Sequence, residues 1–253
     1  MKDGFGRKID YLRVSITDRC NFRCRYCMPE KGVKPKTHGD ILSFEEIIQF
    51  VKVVVPLGIT KIRITGGEPL VRKGVVGFIK KLKEINGLQD ISMTTNAYLL
   101  PDMAWDLKEA GLARVNISLD SLKPERFREI TRWGELSKVL LGIETALKAG
   151  LIPVKINCVV VKGFNDDEIM DFINLTRQYP VFVRFIELMP LGEQDWLTGR
   201  FISAEDIKAS IKHVLVPTAI PAGSGPAVYY KVPGALGGVG FITPISQHFC
   251  PTC

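Results

Sequence analysis

The chain alternates six times between stretches with the two-residue periodicity of a β-strand and stretches with the periodicity of an α-helix. The predicted strands cover residues 12–16, 60–65, 91–95, 114–119, 154–161 and 181–186. The helical patterns begin near Ser43, where Glu46 completes a capping-box pattern, cover 75–86 and 102–110, reach Ala149, and begin again near Asp166 and Ser203. Strands joined by helices form a parallel sheet, either open and doubly wound or closed into a barrel. The pattern predicts an α/β protein and leaves that choice open.

Length, cysteine usage and charge narrow the class of protein. The 253 residues can bury one large core or two small ones, and no apolar run approaches the roughly 18 residues of a membrane span. The N-terminus lacks an apolar export signal, and six cysteines with three in one loop favour intracellular metal binding over disulfides. The net charge of +7 favours anionic partners, including a phosphorylated small molecule, although any basic cytosolic protein shares it. We expect a cytoplasmic protein that binds neither a membrane nor, lacking a recognised module, nucleic acid.

Three thiols stand within eight residues near the N-terminus, directly after the first predicted strand. Cys20, Cys24 and Cys27 are separated by three residues and then by two, and the next cysteine is Cys158. Thiolates are soft ligands that select iron–sulfur clusters, zinc or copper(I), and ordinary sites of these kinds use four protein ligands. Three ligands in one loop indicate a metal centre with one open position, where chemistry takes place. A zinc knuckle, or cysteines that are close by accident, remain alternatives.

A glycine-rich turn follows the second predicted strand. Gly66-Gly67-Glu68-Pro69 lies at the carboxyl end of that strand, the edge where parallel α/β folds bind their ligands. Its two glycines permit a close approach of the backbone to a ligand. On its own such a sequence is more often a simple turn.

Four basic residues alternate with apolar neighbours on the predicted strands: Arg13, Arg63, Lys155 and Arg184. They therefore point away from the Ile/Val face, which in a barrel means inward. A buried cation is costly without an anionic partner, so four together predict a phosphate-binding interior. A solvated sheet face or pairing with carboxylates is the alternative.

The C-x3-C-x2-C loop with Tyr26 just before its last cysteine, followed by Gly66-Gly67-Glu68-Pro69, resembles the radical S-adenosylmethionine (SAM) superfamily. The resemblance implies a partial (β/α)6 barrel of the TIM-like type. It also implies a [4Fe-4S] cluster held by Cys20, Cys24 and Cys27, with SAM on the fourth iron. The positions that match SAM-contacting positions are Tyr26, Gly67, Ser118 and Met189. For Met189, packing in the core is an alternative.

The last 40 residues change in character and narrow the resemblance. From about Val214 the chain is rich in Gly and Pro, which predicts loops and short extended pieces, and it ends in Cys250-Pro251-Thr252-Cys253. We therefore divide it into a radical SAM partial barrel, 1–213, and a C-terminal auxiliary-cluster segment, 214–253. With residues 12–21, 62–69 and His248-Phe249-Cys250, this tail is similar to the GTP 3′,8-cyclases of molybdenum cofactor biosynthesis.

The cyclase resemblance implies a second [4Fe-4S] cluster, also held by three cysteines, whose open iron binds the guanine of GTP. By position, Cys250 and Cys253 are two of its ligands. Arg13, Arg63, Thr94 and Lys155 match GTP-contacting positions.

The sequence departs from the cyclase pattern in three places. The third ligand of the second cluster, with a basic stretch before it, is expected beyond Cys253, and so is a Gly-Gly tail. Ala97 stands where a glycine is usual. We therefore expect this chain to hold the first cluster and to bind the second poorly or not at all.

The reaction implied by the resemblance is the conversion of GTP to 3′,8-cyclo-7,8-dihydro-GTP. Reductive cleavage of SAM gives a 5′-deoxyadenosyl radical, which removes hydrogen from C3′ of GTP so that C3′ attacks C8. The implied partners are GTP, an electron donor and a downstream enzyme that takes the product, with a homodimer as one option for the oligomeric state. The alternatives are a peptide-modifying radical SAM enzyme with an auxiliary cluster, and a non-enzymatic iron–sulfur or zinc protein.

Overall fold

The computed structural model describes residues 2–34, 36–189, 194–217 and 225–247, and the chain divides into two compact units. The first unit consists of Met1–Asn21, Val33–Asn116 and Lys138–Ile152. The second consists of Phe22–Gly32, Ile117–Ser137 and Pro153–Cys253. Because the division falls after Asn21, the thiol loop of residues 20–27 contributes Cys20 to the first unit and Cys24 and Cys27 to the second.

Strands and helices alternate in the first unit as the sequence predicts. Its elements are β1 (Tyr11–Ser15), α1 (Phe44–Val54), β2 (Lys61–Thr65), α2 (Val75–Lys83), β3 (Asp90–Thr95) and α3 (Leu100–Glu109). β1, β2 and β3 are parallel neighbours, with Arg13 opposite Arg63 and Arg63 opposite Ser92. Short 3-10 helices cover His38–Asp40 and Pro69–Val71. Two elements extend across the division between the units, β4 (Arg114–Ser118) and α5 (Leu136–Lys148).

The start of α1 shows how local sequence places these elements. The amide of Glu46 donates to the Ser43 hydroxyl at 3.1 Å, and the Ser43 amide donates to the Glu46 carboxylate at 2.7 Å. This capping box, as predicted, satisfies donors that the first helical turn leaves unpaired. The helix then buries Ile47, Ile48 and Val51 on one face.

The second unit contains the remaining elements. They are α4 (Pro124–Thr131), β5 (Val154–Val160), α6 (Ile169–Gln178), β6 (Val181–Glu187), α7 (Gln194–Leu197), α8 (Ala204–Ile211), β7 (Val216–Pro217), β8 (Val228–Lys231) and β9 (Gly238–Ile242). Further 3-10 helices cover Asp166–Glu168 and Lys212–Val214. β5, β6 and β9 are parallel, whereas β8 is antiparallel to both β9 and β7.

The glycine-rich tail contributes more to the sheet than its composition indicates. β9 pairs with β6 over five residues, and packing requires one glycine just before this strand and another within it. A Cβ at Gly237 would lie 1.8 Å from the carbonyl oxygen of Val181, and one at Gly240 would lie 2.9 Å from the Tyr229 ring. Close backbone approach therefore explains glycines that otherwise read as loop residues.

The fold class is α/β with parallel strands, so that prediction is confirmed. Each unit buries an apolar face of its strands, including Ile62 and Ile64 in the first unit and Val183 and Phe185 in the second. No helix among the described residues has the length and apolar character to span a bilayer.

Candidate functional site

The thiol loop forms a tight turn between its second and third cysteines. The amides of Cys27 and Met28 both donate to the carbonyl oxygen of Cys24, at 2.9 and 3.0 Å. Cys20, Cys24 and Cys27 are all free thiols rather than disulfide partners. Among the described residues, no three His, Cys, Asp or Glu side chains converge closely enough to hold a metal ion. Three thiols are the kind of soft ligand that an iron–sulfur cluster takes, so the chemistry of these residues fits such a cluster. Their positions do not define the geometry of one.

In the second unit, the thiol loop packs against the end of α4. The Phe22 ring meets the Phe127 ring edge to face, with centroids 6.0 Å apart. The amide of Arg23 donates to the Thr131 carbonyl at 3.0 Å, and that of Arg25 donates to the Ile130 carbonyl at 2.9 Å. The backbone of the loop is thus hydrogen-bonded to the end of α4. These bonds hold the loop in place without any contribution from the thiols.

In the first unit, the glycines of the Gly66-Gly67-Glu68-Pro69 turn allow it to lie against the residues before Cys20. The amide of Gly67 donates to the Thr17 carbonyl at 2.7 Å, and that of Glu68 donates to the Arg19 carbonyl at 2.8 Å. A Cβ at Gly67 would stand 2.4 Å from the Arg19 carbonyl oxygen. No other residue type fits there. The motif therefore forms a turn and also supports the backbone that leads to Cys20.

Glu68 is the buried centre of a hydrogen-bond network that the sequence did not reveal. Its side chain is 1 % exposed, and its carboxylate accepts hydrogen bonds from the Asn96 amide (2.7 Å), the Thr95 hydroxyl (2.7 Å) and the Leu70 amide (3.1 Å). Burial raises the pKa of Glu68 to about 7, against the opposite effect of these bonds. The Asn96 side chain donates onward to the Asn21 side chain at 2.7 Å. The network therefore joins the ends of β2 and β3 to the start of the thiol loop.

Asp120 is a second buried carboxylate, which holds the other end of the thiol loop. It accepts the Tyr26 hydroxyl at 2.7 Å and the Val159 amide at 2.8 Å. Burial raises the pKa of Asp120 to about 6, while its two hydrogen bonds act in the opposite direction. The Tyr26 ring packs against an apolar cluster of the second unit, formed by Ile130, Val161, Phe164, Leu188, Trp196 and Leu197. Tyr26 is therefore oriented by packing and by one strong polar contact.

The residues predicted to contact SAM lie in both units. Gly67 belongs to the first unit, and Tyr26, Ser118 and Met189 belong to the second. Ser118 ends β4 and is half-buried. Met189 is 42 % exposed, which is not the burial of a core residue and disfavours the packing alternative. Their role in binding SAM stays a prediction.

The predicted GTP contacts divide in the same way. In the first unit, Arg13 and Arg63 are opposite each other on β1 and β2, and half-buried Thr94 lies on β3. Arg13 is exposed, unlike the interior cation that alternation suggested, because β1 has only half-buried and exposed positions. Their contact with GTP stays a prediction.

The strand-borne cations of the second unit are deeply buried. Lys155 is 2 % exposed, and its ammonium lies 5.9 Å from the centre of the Tyr229 ring. Arg184 is 5 % exposed and donates from Nε to the Asn157 side chain at 2.8 Å. A cation held at such depth interacts strongly with any anion that reaches it, because water screens the pair poorly.

The predicted ligands of the second cluster, Cys250 and Cys253, lie outside the described residues, as does His248. The chain leading toward them is anchored by Glu187 at the end of β6. This carboxylate accepts the amides of Ser246 (2.9 Å), Ile245 (3.1 Å) and Ala204 (2.9 Å), and also the Ser246 hydroxyl. Burial favours a higher pKa for Glu187, but these bonds hold it below the usual range. A carboxylate at the end of a mostly apolar strand was the available sequence signal.

Comparison with family models gives two matches that together span most of the chain. Residues 14–176 match the radical SAM superfamily, and residues 181–253 match the model described as Molybdenum Cofactor Synthesis C. The chain is 58 % identical over 254 residues to the GTP 3′,8-cyclase of Alkaliphilus metalliredigens, covering all of this chain and 79 % of that protein. It is 54 % identical to the GTP 3′,8-cyclase of Moorella thermoacetica, with the same coverage of each.

Solved structures share the fold at much lower identity. Streptococcus suis SuiB bound to S-adenosylmethionine superposes with a TM-score of 0.67 at 14 % identity, over 81 % of this chain and 46 % of that chain. Methylornithine synthase (PylB) superposes with a TM-score of 0.62 at 15 % identity, over 80 % of this chain and 61 % of that chain. At such identity the likeness concerns the fold alone.

Proposed function

The chain belongs to the radical SAM superfamily and, within it, to the GTP 3′,8-cyclases, and we propose that it converts GTP to 3′,8-cyclo-7,8-dihydro-GTP in molybdenum cofactor biosynthesis. The observation that carries the proposal is the identity of 58 % along the whole chain to a curated cyclase. The same observation favours this enzyme over a peptide-modifying relative or a non-enzymatic metal protein.

Membership of the superfamily implies a [4Fe-4S] cluster and SAM. In the proposal, the thiols of Cys20, Cys24 and Cys27 hold that cluster, and Cys250 and Cys253 are ligands of a second one. When bound, the cluster supplies the electron that cleaves SAM reductively. We also propose that residues 1–213 form the radical SAM partial barrel and 214–253 the auxiliary-cluster segment.

The chain's own residues orient and enclose the reactants. Tyr26, Gly67, Ser118 and Met189 contact SAM in the proposal, and the hydroxyl bond from Tyr26 to Asp120 fixes the first of them. The Glu68 network fixes Thr95 and Asn96, and with them the adjacent Thr94. Tyr26 and Thr94 are thus positioned by hydrogen bonds that exist without the substrate, which reduces the entropic cost of ordering them when it binds.

The strand-borne cations suit a triphosphate. Arg13, Arg63 and Lys155 are proposed GTP contacts, and Arg184 belongs to the same class of strand-borne cation. Lys155 and Arg184 lie on neighbouring strands, and their burial excludes water that would weaken their attraction for phosphate. The proposed partners are an electron donor and a downstream enzyme that takes the product, with a homodimer as one option for the oligomeric state. The proposed location is the cytoplasm, where GTP is available.

The proposal is tested by anaerobic turnover with dithionite, SAM and GTP after cluster reconstitution. We expect 5′-deoxyadenosine and a cyclised nucleotide that both require GTP, with ATP as the control nucleotide. Cys27→Ser should abolish both products, whereas Cys158→Ala, at a buried thiol outside the loop, should retain them. SAM cleavage that is independent of GTP would refute the substrate assignment.

A further inference from the structure

Arg132 has a backbone conformation that is rare for a residue with a side chain. Its φ is +63°, in the range where Cβ meets its own backbone and glycine is favoured. Within the described residues, Ala97 is the only other non-glycine residue with a positive φ. Such a conformation persists only where the surroundings hold it, and such residues often lie at functional sites.

The side chain of Arg132 joins the two ends of the segment that carries Cys24 and Cys27. Its Nη1 donates to the carbonyl oxygen of Arg23 at 2.7 Å and to that of Met28 at 3.2 Å. Arg23 directly precedes Cys24, and Met28 directly follows Cys27. One nitrogen atom therefore fixes the distance between the start and the end of the thiol segment.

The turn that presents Arg132 is tightly built. The Thr131 hydroxyl donates to the Phe127 carbonyl at 2.6 Å and accepts the Gly134 amide at 3.0 Å. A Cβ at Gly134 would lie 2.6 Å from both the Phe127 ring and the Thr131 hydroxyl. The turn therefore has little freedom, and its own contacts help to set the position of the Arg132 side chain.

We propose that Arg132 is a positioning residue that fixes the relative placement of the Cys24 and Cys27 thiols before any cofactor binds. The functional importance of Arg132 rests on the proposed function, because Cys24 and Cys27 are proposed cluster ligands. The contacts of Arg132 are independent of that function, because Nη1 bonds to the chain itself. The backbone of Arg132, with a φ of +63° and a ψ of −34°, is the conformation from which this side chain reaches back across the loop.

The structure provides a control of the same charge. Arg128 and Arg132 line one surface depression of about 460 Å³, together with Arg25, Glu30, Glu129 and Trp133. Arg128 is an exposed residue of α4, one helical turn before Arg132. Replacing Arg128 removes a positive charge from the depression while leaving the Nη1 bonds to the thiol loop in place.

The test measures how fast iodoacetamide alkylates Cys24 and Cys27 in the metal-free protein, resolved by mass spectrometry of peptic peptides. Arg132→Ala should raise both rates about tenfold, the factor expected when a charge-assisted hydrogen bond no longer restrains a segment. Arg132→Lys should restore rates near those of the wild type, because an ammonium has three hydrogens with which to join both carbonyls. Arg128→Ala should leave the rates unchanged.

A comparison of Arg132→Gly with Arg132→Ala separates the backbone from the side chain. Glycine adopts a positive φ without strain, so Arg132→Gly should unfold at a higher urea concentration than Arg132→Ala. The thiol rates of the two variants should be equally fast, since both lack the guanidinium. If Arg132→Ala does not fold, Arg132→Gly alone supplies the thiol rates.

Three results would overturn the proposal: unchanged rates in Arg132→Ala or Arg132→Gly, an equal rise in Arg128→Ala, or no rescue by Arg132→Lys. Iron retention by the reconstituted proteins under a chelator provides a second readout, and Arg132→Ala should lose iron faster than the wild type. A wild-type protein that binds no iron would refute the proposed function, while the alkylation rates would still decide the role of Arg132.

Discussion

Glu68 and Asp120 are both buried carboxylates that follow strands, yet the donors of their hydrogen bonds lie in different parts of the chain. Glu68 is held by two backbone amides and one hydroxyl, all from residues of the first unit. Asp120 is held by one amide and by the hydroxyl of Tyr26, a residue of the thiol loop itself. Glu68 therefore fixes the framework on which the loop begins, whereas Asp120 depends on the loop for half of its bonding. Loss of Glu68 should damage the fold, and loss of the Asp120 contact should damage mainly the loop.

Truncating either carboxylate should destabilise the protein more than any other change considered in this comparison. Glu68→Ala leaves three buried donors without an acceptor and should lower the free energy of unfolding by about 3–5 kcal/mol, whereas Asp120→Ala leaves two and should lower it by about 2–4 kcal/mol. Urea unfolding of the metal-free protein measures both. Glu45→Ala, at a residue of α1 whose carboxylate meets Lys81 at the surface, should leave the free energy of unfolding almost unchanged. An equal loss in Glu45→Ala would show that burial is not the cause.

The pH dependence of stability should distinguish the two carboxylates by its range. Burial raises the pKa of Glu68 to about 7 and that of Asp120 to about 6, so the folded chain keeps protons that the unfolded chain releases near pH 4. The contribution of these two carboxyls to stability is therefore greatest below pH 4, and it is lost as the pH rises through each folded pKa.

In the wild type, ionisation of Glu68 should lower the free energy of unfolding by about 3 kcal/mol between pH 4 and pH 7, and Glu68→Gln should abolish this decrease. Asp120→Asn should abolish a decrease of similar size between pH 4 and pH 6. Urea unfolding at intervals between pH 4 and pH 8 measures the difference from the wild type. The assignment is wrong if, between pH 6 and pH 7, the slope of stability against pH differs from the wild type in Asp120→Asn and matches it in Glu68→Gln.

The smallest expected effect comes from deleting a single hydroxyl on each side of the comparison. Tyr26→Phe leaves the Asp120 carboxylate with one hydrogen bond and should cost about 2 kcal/mol. Thr95→Val leaves Glu68 with two hydrogen bonds but also removes the acceptor of the Ala97 amide, so it should cost about as much. The double variant of Tyr26→Phe with Asp120→Asn should cost less than the sum of the single variants, because the two groups are in contact. Additive costs would show that the contact contributes no stability.

Local patterns in the sequence predicted most of the fold, with errors at the ends of elements. The second helix ends at Lys83 rather than near residue 86, because the Ile85 amide turns to the Leu82 carbonyl and Gly87 has a φ of +96°. The third helix begins at Leu100 rather than at residue 102, since Pro101 is compatible with the first turn. Periodicity shows where a helix exists, but its ends depend on individual hydrogen bonds.

The candidate site divides in a similar way between what could and could not be predicted. The spacing of Cys20, Cys24 and Cys27 is a property of the sequence, and so are the glycines of the turn after β2. The contact that the glycines make cannot be predicted from the sequence, because Gly67 meets the carbonyl of Arg19, a residue 48 positions earlier in the chain. Sequence spacing therefore predicts a kind of chemistry without the contacts that hold it.

Residues close together in the chain encode the order of strands and helices, the helix cap at Ser43 and the donor set of the thiol loop, so local patterns are enough to predict them. Which donors meet Glu68, Asp120 and Glu187, and which carbonyls Arg132 joins, depends on how distant segments pack together. Tyr26 and Asp120 are 94 positions apart, and Arg132 and Arg23 are 109 apart. A buried polar group must find partners wherever packing brings them, and no local pattern encodes that meeting.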